Sequence, residues 1–163
     1  MATLQATQTE TNYRLADPEE VRKILENYPS GTSLEALPGA TPQPALNGKR
    51  IMLEKGSAIF FVWAGSKCLI PDAETYNAVF SGLDIIVLGP TEFNSITLGD
   101  ALTSGAAIVR GQGQVPNYFV SNNHKHYVTS PKVMSYCHFR GPLEIPRAVV
   151  EAIPRGFDID YGA

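Results

Sequence analysis

The sequence predicts an α+β domain built from about three tandem repeats, each a β-hairpin with a short helix. Three observations predict it. Residues 12–21, 67–76 and 125–134 each start as a short strand pattern and then offer a helix N-cap, at Asp17, Asp72 and Ser130. A second short element recurs at 34–38, 93–97 and 150–154, where Leu37, Ile96 and Ile153 match at separations of 59 and 57 residues. Strand patterns at 58–63 and 68–70, and again at 117–121 and 126–128, flank turns rich in Gly and Asn, the residues that accept positive φ in a hairpin.

The chain divides accordingly into a tail, 1–11, and a single domain of units 12–47, 48–104 and 105–163. In the first unit a strand leads to a helix that starts after Asp17, has Pro18 at its first position, and ends near Asn27; Glu20 has capping-box spacing. Its apolar stripe is Val21, Ile24 and Leu25. The second unit runs through strand 50–53, the hairpin, a helix with the stripe Tyr76, Val79 and Phe80, and strand 84–88. The third has strand 106–109, its hairpin, and a helix whose stripe is Met134, Cys137 and His138. Gly39, Gly99 and Gly156 follow the recurring short elements and read as helix C-caps. Leu15 and Ile70 are expected as matching buried strand positions, as are Leu37, Ile96 and Ile153.

The two ends of the chain are complementary. The first unit lacks leading strands, and 157–161 overruns the last unit by one strand pattern. Pairing of that segment with 11–15 would close the units with pseudo-threefold symmetry. Pairing of the same edges with a second chain, giving a homodimer, is the alternative.

Composition excludes several function classes. A net charge of −3 argues against a general nucleic-acid grip. The first ten residues have neither the basic nor the apolar region of a secretory signal, and no run reaches membrane-spanning length, so a cytoplasmic protein is expected, with release by a non-classical route as the other option. Cys68 and Cys137 have no metal-ligand spacing and are expected as free, buried thiols. No cofactor is expected, because phosphate-binding, nucleophile-elbow and zinc-protease motifs are all missing from the sequence.

Residues 56–76 are similar to a tandem module of bacterial secreted and surface proteins. That module reads as a glycine turn, an apolar strand, a second turn, a basic strand, then Ile-Pro and a helix. Ala152-Ile-Pro-Arg-Gly156 resembles its trailing element. The resemblance implies a non-catalytic module and names no ligand. Ala64-Gly65 and Asn122-Asn123 stand where the module has Asn-Gly.

Candidate chemistry gathers in 101–140, which holds Arg110, Lys125, Lys132, Arg140 and all three histidines but no carboxylate. That suits an anionic or hydroxyl-rich ligand, or a loosely charged solvated face. His124 and His126 are two apart on a strand and share a face, yet no third metal ligand follows, so no metal site is assigned. Trp63 ends a hairpin strand, where its ring would stack on a sugar or pack on the neighbouring unit. His138 is expected buried or half-buried with one hydrogen-bond partner; a Cys137–His138 dyad is not expected, since adjacent helical residues diverge. The candidate ligand-binding set is Trp63, Lys67, Asn122, Asn123, His124, Lys125 and His126, with no catalytic residue. The leading expectation is a non-enzymatic, lectin-like protein that binds a glycan or cell-surface ligand. The alternatives are a structural or protein-interaction module, and a hydrolase with a histidine-centred site.

Overall fold

A computed structural model describes residues 13–29, 34 and 36–162; the expected tail, 1–11, lies outside the described residues. The fold is α+β, with two sheets and five short helices among the described residues. The first sheet has strand order β1-β5-β2-β3-β4, from β1 (Arg14–Leu15), β2 (Arg50–Leu53), β3 (Phe60–Trp63), β4 (Ser66–Leu69) and β5 (Ile85–Leu88). The second has order β8-β7-β6-β9, from β6 (Ala107–Gly111), β7 (Asn117–Ser121), β8 (His124–Val128) and β9 (Leu143–Ile145). Pairs β2–β5 and β6–β9 are parallel; all other pairs are antiparallel.

Helix α1 (Pro18–Glu26) begins as expected: Asp17 accepts a hydrogen bond from the Glu19 N–H at 3.0 Å, and Asn27 is the C-cap. Asp72 and Ser130 cap α2 (Ala73–Val79) and α4 (Pro131–Tyr136), accepting from the Thr75 and Val133 N–H groups. The hairpin turns are two residues long and left-handed, with φ of 51° and 80° at Ala64 and Gly65 and 54° and 64° at Asn122 and Asn123. Positive φ at both centres matches the twist of the flanking strands.

Strand alternation sorts the apolar residues into two cores. Phe61, Trp63 and Cys68 meet Ile108, Phe119 and Val128 of the second sheet, closed by Tyr76, Val79 and Phe80 and by Val133. The intervening residues Phe60 and Val62 point outward into a smaller core with Leu46, Phe93 and Ile96. Among the described residues no helix is long and apolar enough to cross a membrane.

Several expectations need correction. Ile70 and Ile96 are buried, but Leu15 and Leu37 are 58% and 48% exposed and Ile153 is half-buried. Leu15 lies on a two-residue edge strand, where one side has no neighbour. The recurring short helices lie earlier than expected, at α3 (Pro90–Asn94) and α5 (Arg147–Ala152); of 34–38, residue 35 lies outside the described residues and the others are not helical. Gly156 is no C-cap: a Cβ there would come within 2.3 Å of the His126 ring, so glycine serves close strand approach. His138 follows the end of α4 with φ of 56°, so it does not extend that helix's buried stripe.

Among the described residues the two chain ends do not pair with each other. β1 pairs with β5, while 154–159 runs parallel to the outer edge of β8, where the Ile159 N–H donates to Tyr127 O at 2.7 Å. Ile159 is fully buried there, which is the physical gain that draws the segment to β8.

Candidate functional site

The candidate residues separate into interior and surface groups. Trp63 is 8% exposed and packs on Phe119, His126 and Phe157, with its indole N–H donating to Cys68 Sγ at 3.0 Å. The ring therefore offers no open face for stacking on a sugar. Lys67 is 6% exposed; its ammonium donates to Phe93 O at 2.5 Å and lies over the Phe93 ring, and burial lowers its pKa. His126 is buried too, with Nδ1 2.9 Å from Phe157 O, and burial pushes its pKa below the usual value. These three residues are occupied inside the fold.

Asn122, Asn123, His124 and Lys125 form the other group, at the β7–β8 turn. Asn123 and His124 are exposed. Asn122 is half-buried, donates from its amide to Ala101 O at 3.0 Å, and its carbonyl contacts His124 Nδ1. Lys125 donates to Val150 O at 2.8 Å. His124 and His126 have ring centroids 6.5 Å apart, and among the described residues no group of three potential metal ligands forms. His138 is elsewhere, with Nε2 3.6 Å from Asp84.

The two outer sheet faces differ. On the first sheet, residues 41–46 cross over the face: Thr41 N–H donates to Ser95 O, Thr97 N–H to Thr41 O, and Gln43 N–H to Gly65 O, at 2.9, 3.0 and 2.8 Å. Leu46 is pressed into the core below. On the second sheet α5 lies over part of the face, and among the described residues no segment crosses beside it as 41–46 does on the first. Tyr118, Val120, Lys125 and Tyr127 are half-buried, and Leu143 and Val149 are 63% and 49% exposed. Between β7 and α5 lies an open groove of about 630 Å³, lined by Val120, Asn123, Val149, Ala152, Ile153 and Pro154 among others.

No protein-family model, curated protein or solved structure matches the chain. The site is therefore judged on its own geometry.

Sequence reasoning missed two features. The open face itself was invisible, because it depends on which segment covers which sheet. The second feature is Arg50, at the start of the expected strand 50–53. It is 2% exposed, donates to the Tyr76 hydroxyl and to Gly82 O, and has one nitrogen, Nη2, without a hydrogen-bond partner. Burial lowers its pKa. The available signal was an arginine on the apolar side of β2, in line with Met52.

Proposed function

We propose that this chain is a non-enzymatic binding protein acting as a protein-interaction module, with the outer face of the second sheet as its docking surface. One observation carries the reading: among the described residues, 41–46 crosses the outer face of the first sheet beside its short helix, and no segment does so beside α5 on the second. An outer surface with Leu143 exposed on β9 and Val149 exposed on α5 gains most by meeting another surface. We also read 48–104 and 105–163 as copies of one unit. Each runs strand, hairpin, helix, strand, helix, and each sheet places its parallel strand beside the first. Unit 12–47 as a further copy, in a pseudo-threefold arrangement without pairing of the two ends, belongs to the same proposal.

A carbohydrate-binding, lectin-like function is the second reading. It is favoured by Tyr118 and Tyr127, whose ring centroids lie 5.9 Å apart on the same face, with Lys125 5.1 Å from the first ring centre and Arg155 5.6 Å from the second. Aromatic rings rimmed by polar groups suit a sugar face. The histidine-centred hydrolase has less support, since His126 and His138 engage different partners, Phe157 and Asp84.

Cross-linking tests the leading reading. A Leu143→Cys handle carries a photoreactive label; Cys68 and Cys137 are buried and stay unlabelled. Cross-linked proteins that disappear with Val149→Asp support an interaction face. No cross-links, together with glycan-array binding that Tyr118→Ala abolishes, would replace it with the lectin reading.

A further inference from the structure

We infer that the groove between β7 and α5 receives an extended, uncharged, proline-containing peptide segment of a partner protein, held by two of its backbone N–H groups donating to Asn123 O and Ala152 O. The inference rests on the interaction-module reading above and names the kind of partner.

The chain fills the matching groove on its first sheet with its own residues. Lys67 N–H donates to Thr97 O and Gly99 N–H returns to Lys67 O; Lys125 N–H donates to Pro154 O and Gly156 N–H returns to Lys125 O. These bonds set Thr97 against Pro154, and hence Ser95 against Ala152. The hairpin registers Trp63↔Ser66 and Ser121↔His124 likewise set Gly65 against Asn123. Ser95 O and Gly65 O are the acceptors that Thr41 and Gln43 use. Their counterparts, Ala152 O and Asn123 O, accept no hydrogen bond among the described residues.

The chemistry of the occupant follows from three features. The two donors in the filled groove are two residues apart, with Pro42 between them and Pro44 next, so the intervening positions need no N–H. Proline there holds the segment extended and reduces the entropy lost on docking. The lining of the open groove carries no charged side chain, so it complements a neutral segment; a charged one would lose hydration with no counter-charge. Finally, Pro154 has no N–H where Thr97 returns a bond to Thr41. The groove's backbone therefore offers acceptors at Asn123 and Ala152 and no N–H at Pro154, and a strand needing backbone bonds in both directions fits it poorly. A second folded copy of this chain does not supply the occupant, because its own 41–46 segment is engaged.

The test is an NMR titration of the whole protein with a blocked peptide, Ala-Thr-Pro-Gln-Pro-Ala-Leu-Asn, the sequence of residues 40–47. Saturable shifts at Asn123 and 148–154 are expected. Methylating the peptide nitrogens of Thr and Gln should weaken binding about tenfold or more, through loss of two hydrogen bonds. Val149→Asp, an exposed substitution, should abolish it while leaving distant resonances unmoved. Shifts that never saturate, or that survive N-methylation or Val149→Asp, would overturn the inference. If the peptide fails while Leu143→Cys cross-links persist, the extended peptide is wrong and the interaction face stands. If both fail, both readings fall.

Discussion

Lys67 and Lys125 make the same contact in opposite halves of the molecule: each ammonium donates to a carbonyl of a short helix packed outside its own sheet, Phe93 O at 2.5 Å and Val150 O at 2.8 Å. A cation at these carbonyls adds a charged donor to acceptors that the Ile96 and Ile153 N–H groups reach at 3.3 and 3.2 Å, and opposes the negative end of the helix dipole. The basic strand position is thus part of the packing between strand and helix. Lys67→Met keeps the stem and removes the charge. It should lower stability by about 1–3 kcal/mol, because a buried carbonyl loses its charged donor and keeps only the long bond from the Ile96 N–H. Urea denaturation reads the change, and an unchanged midpoint would remove the helix-holding role.

Ile96 and Ile153 occupy matching places, yet only Ile96 is fully covered. Ile96→Ala should cost about 2–5 kcal/mol, whereas Leu37→Ala, at an exposed position, should stay within about 0.5 kcal/mol of the parent. Ile153→Ala should fall between them. Equal losses at all three positions in calorimetric scans would contradict the burial described here.

His126 links stability to pH. Burial sets its folded pKa below the ordinary value, and the same direction holds at His138. Protonation then favours the unfolded chain. Stability is complete above the unfolded histidine pKa of about 6.5 and is lost as pH falls through it toward the folded value. His126→Gln should flatten part of that decline below about pH 6.5. A parent whose melting temperature rises on acidification over this range would refute the assignment.

The thiols should be slow to react in the folded protein. Both are buried and free, and burial pushes their pKa values up to about 12, so thiolate is scarce at neutral pH. Ellman titration should find both only after denaturation, without reductant. Rapid native labelling of either would show that the core opens readily.

The C-terminal segment is expected to hold the second sheet's edge. Ile159 is fully buried beside β8, and the Tyr161 hydroxyl accepts from the Ala64 N–H at 2.9 Å. Deleting 157–163 should expose β8 and lower both melting temperature and solubility. A truncated protein as heat-resistant and soluble as the parent would show that the edge needs no cover.

Local chemistry made much of the fold legible. Asp17, Asp72 and Ser130 announce helix starts because a side-chain oxygen can satisfy orphan N–H groups within three residues. The hairpin turns could be read because few residues tolerate positive φ, and Ala64-Gly65 and Asn122-Asn123 supply it. Alternation along β3 marked two faces. What the sequence could not determine was which face would be covered. Trp63 and His126 were drawn inside because the two sheets share one aromatic core, and that depends on residues far apart in the chain. Leu15 stayed exposed because its strand became an edge. The C-terminal segment went to β8 because the free edge there let Ile159 reach the core. Strand and helix signals act over a few residues, whereas burial is settled by which distant surfaces meet, and only the assembled tertiary structure decides that.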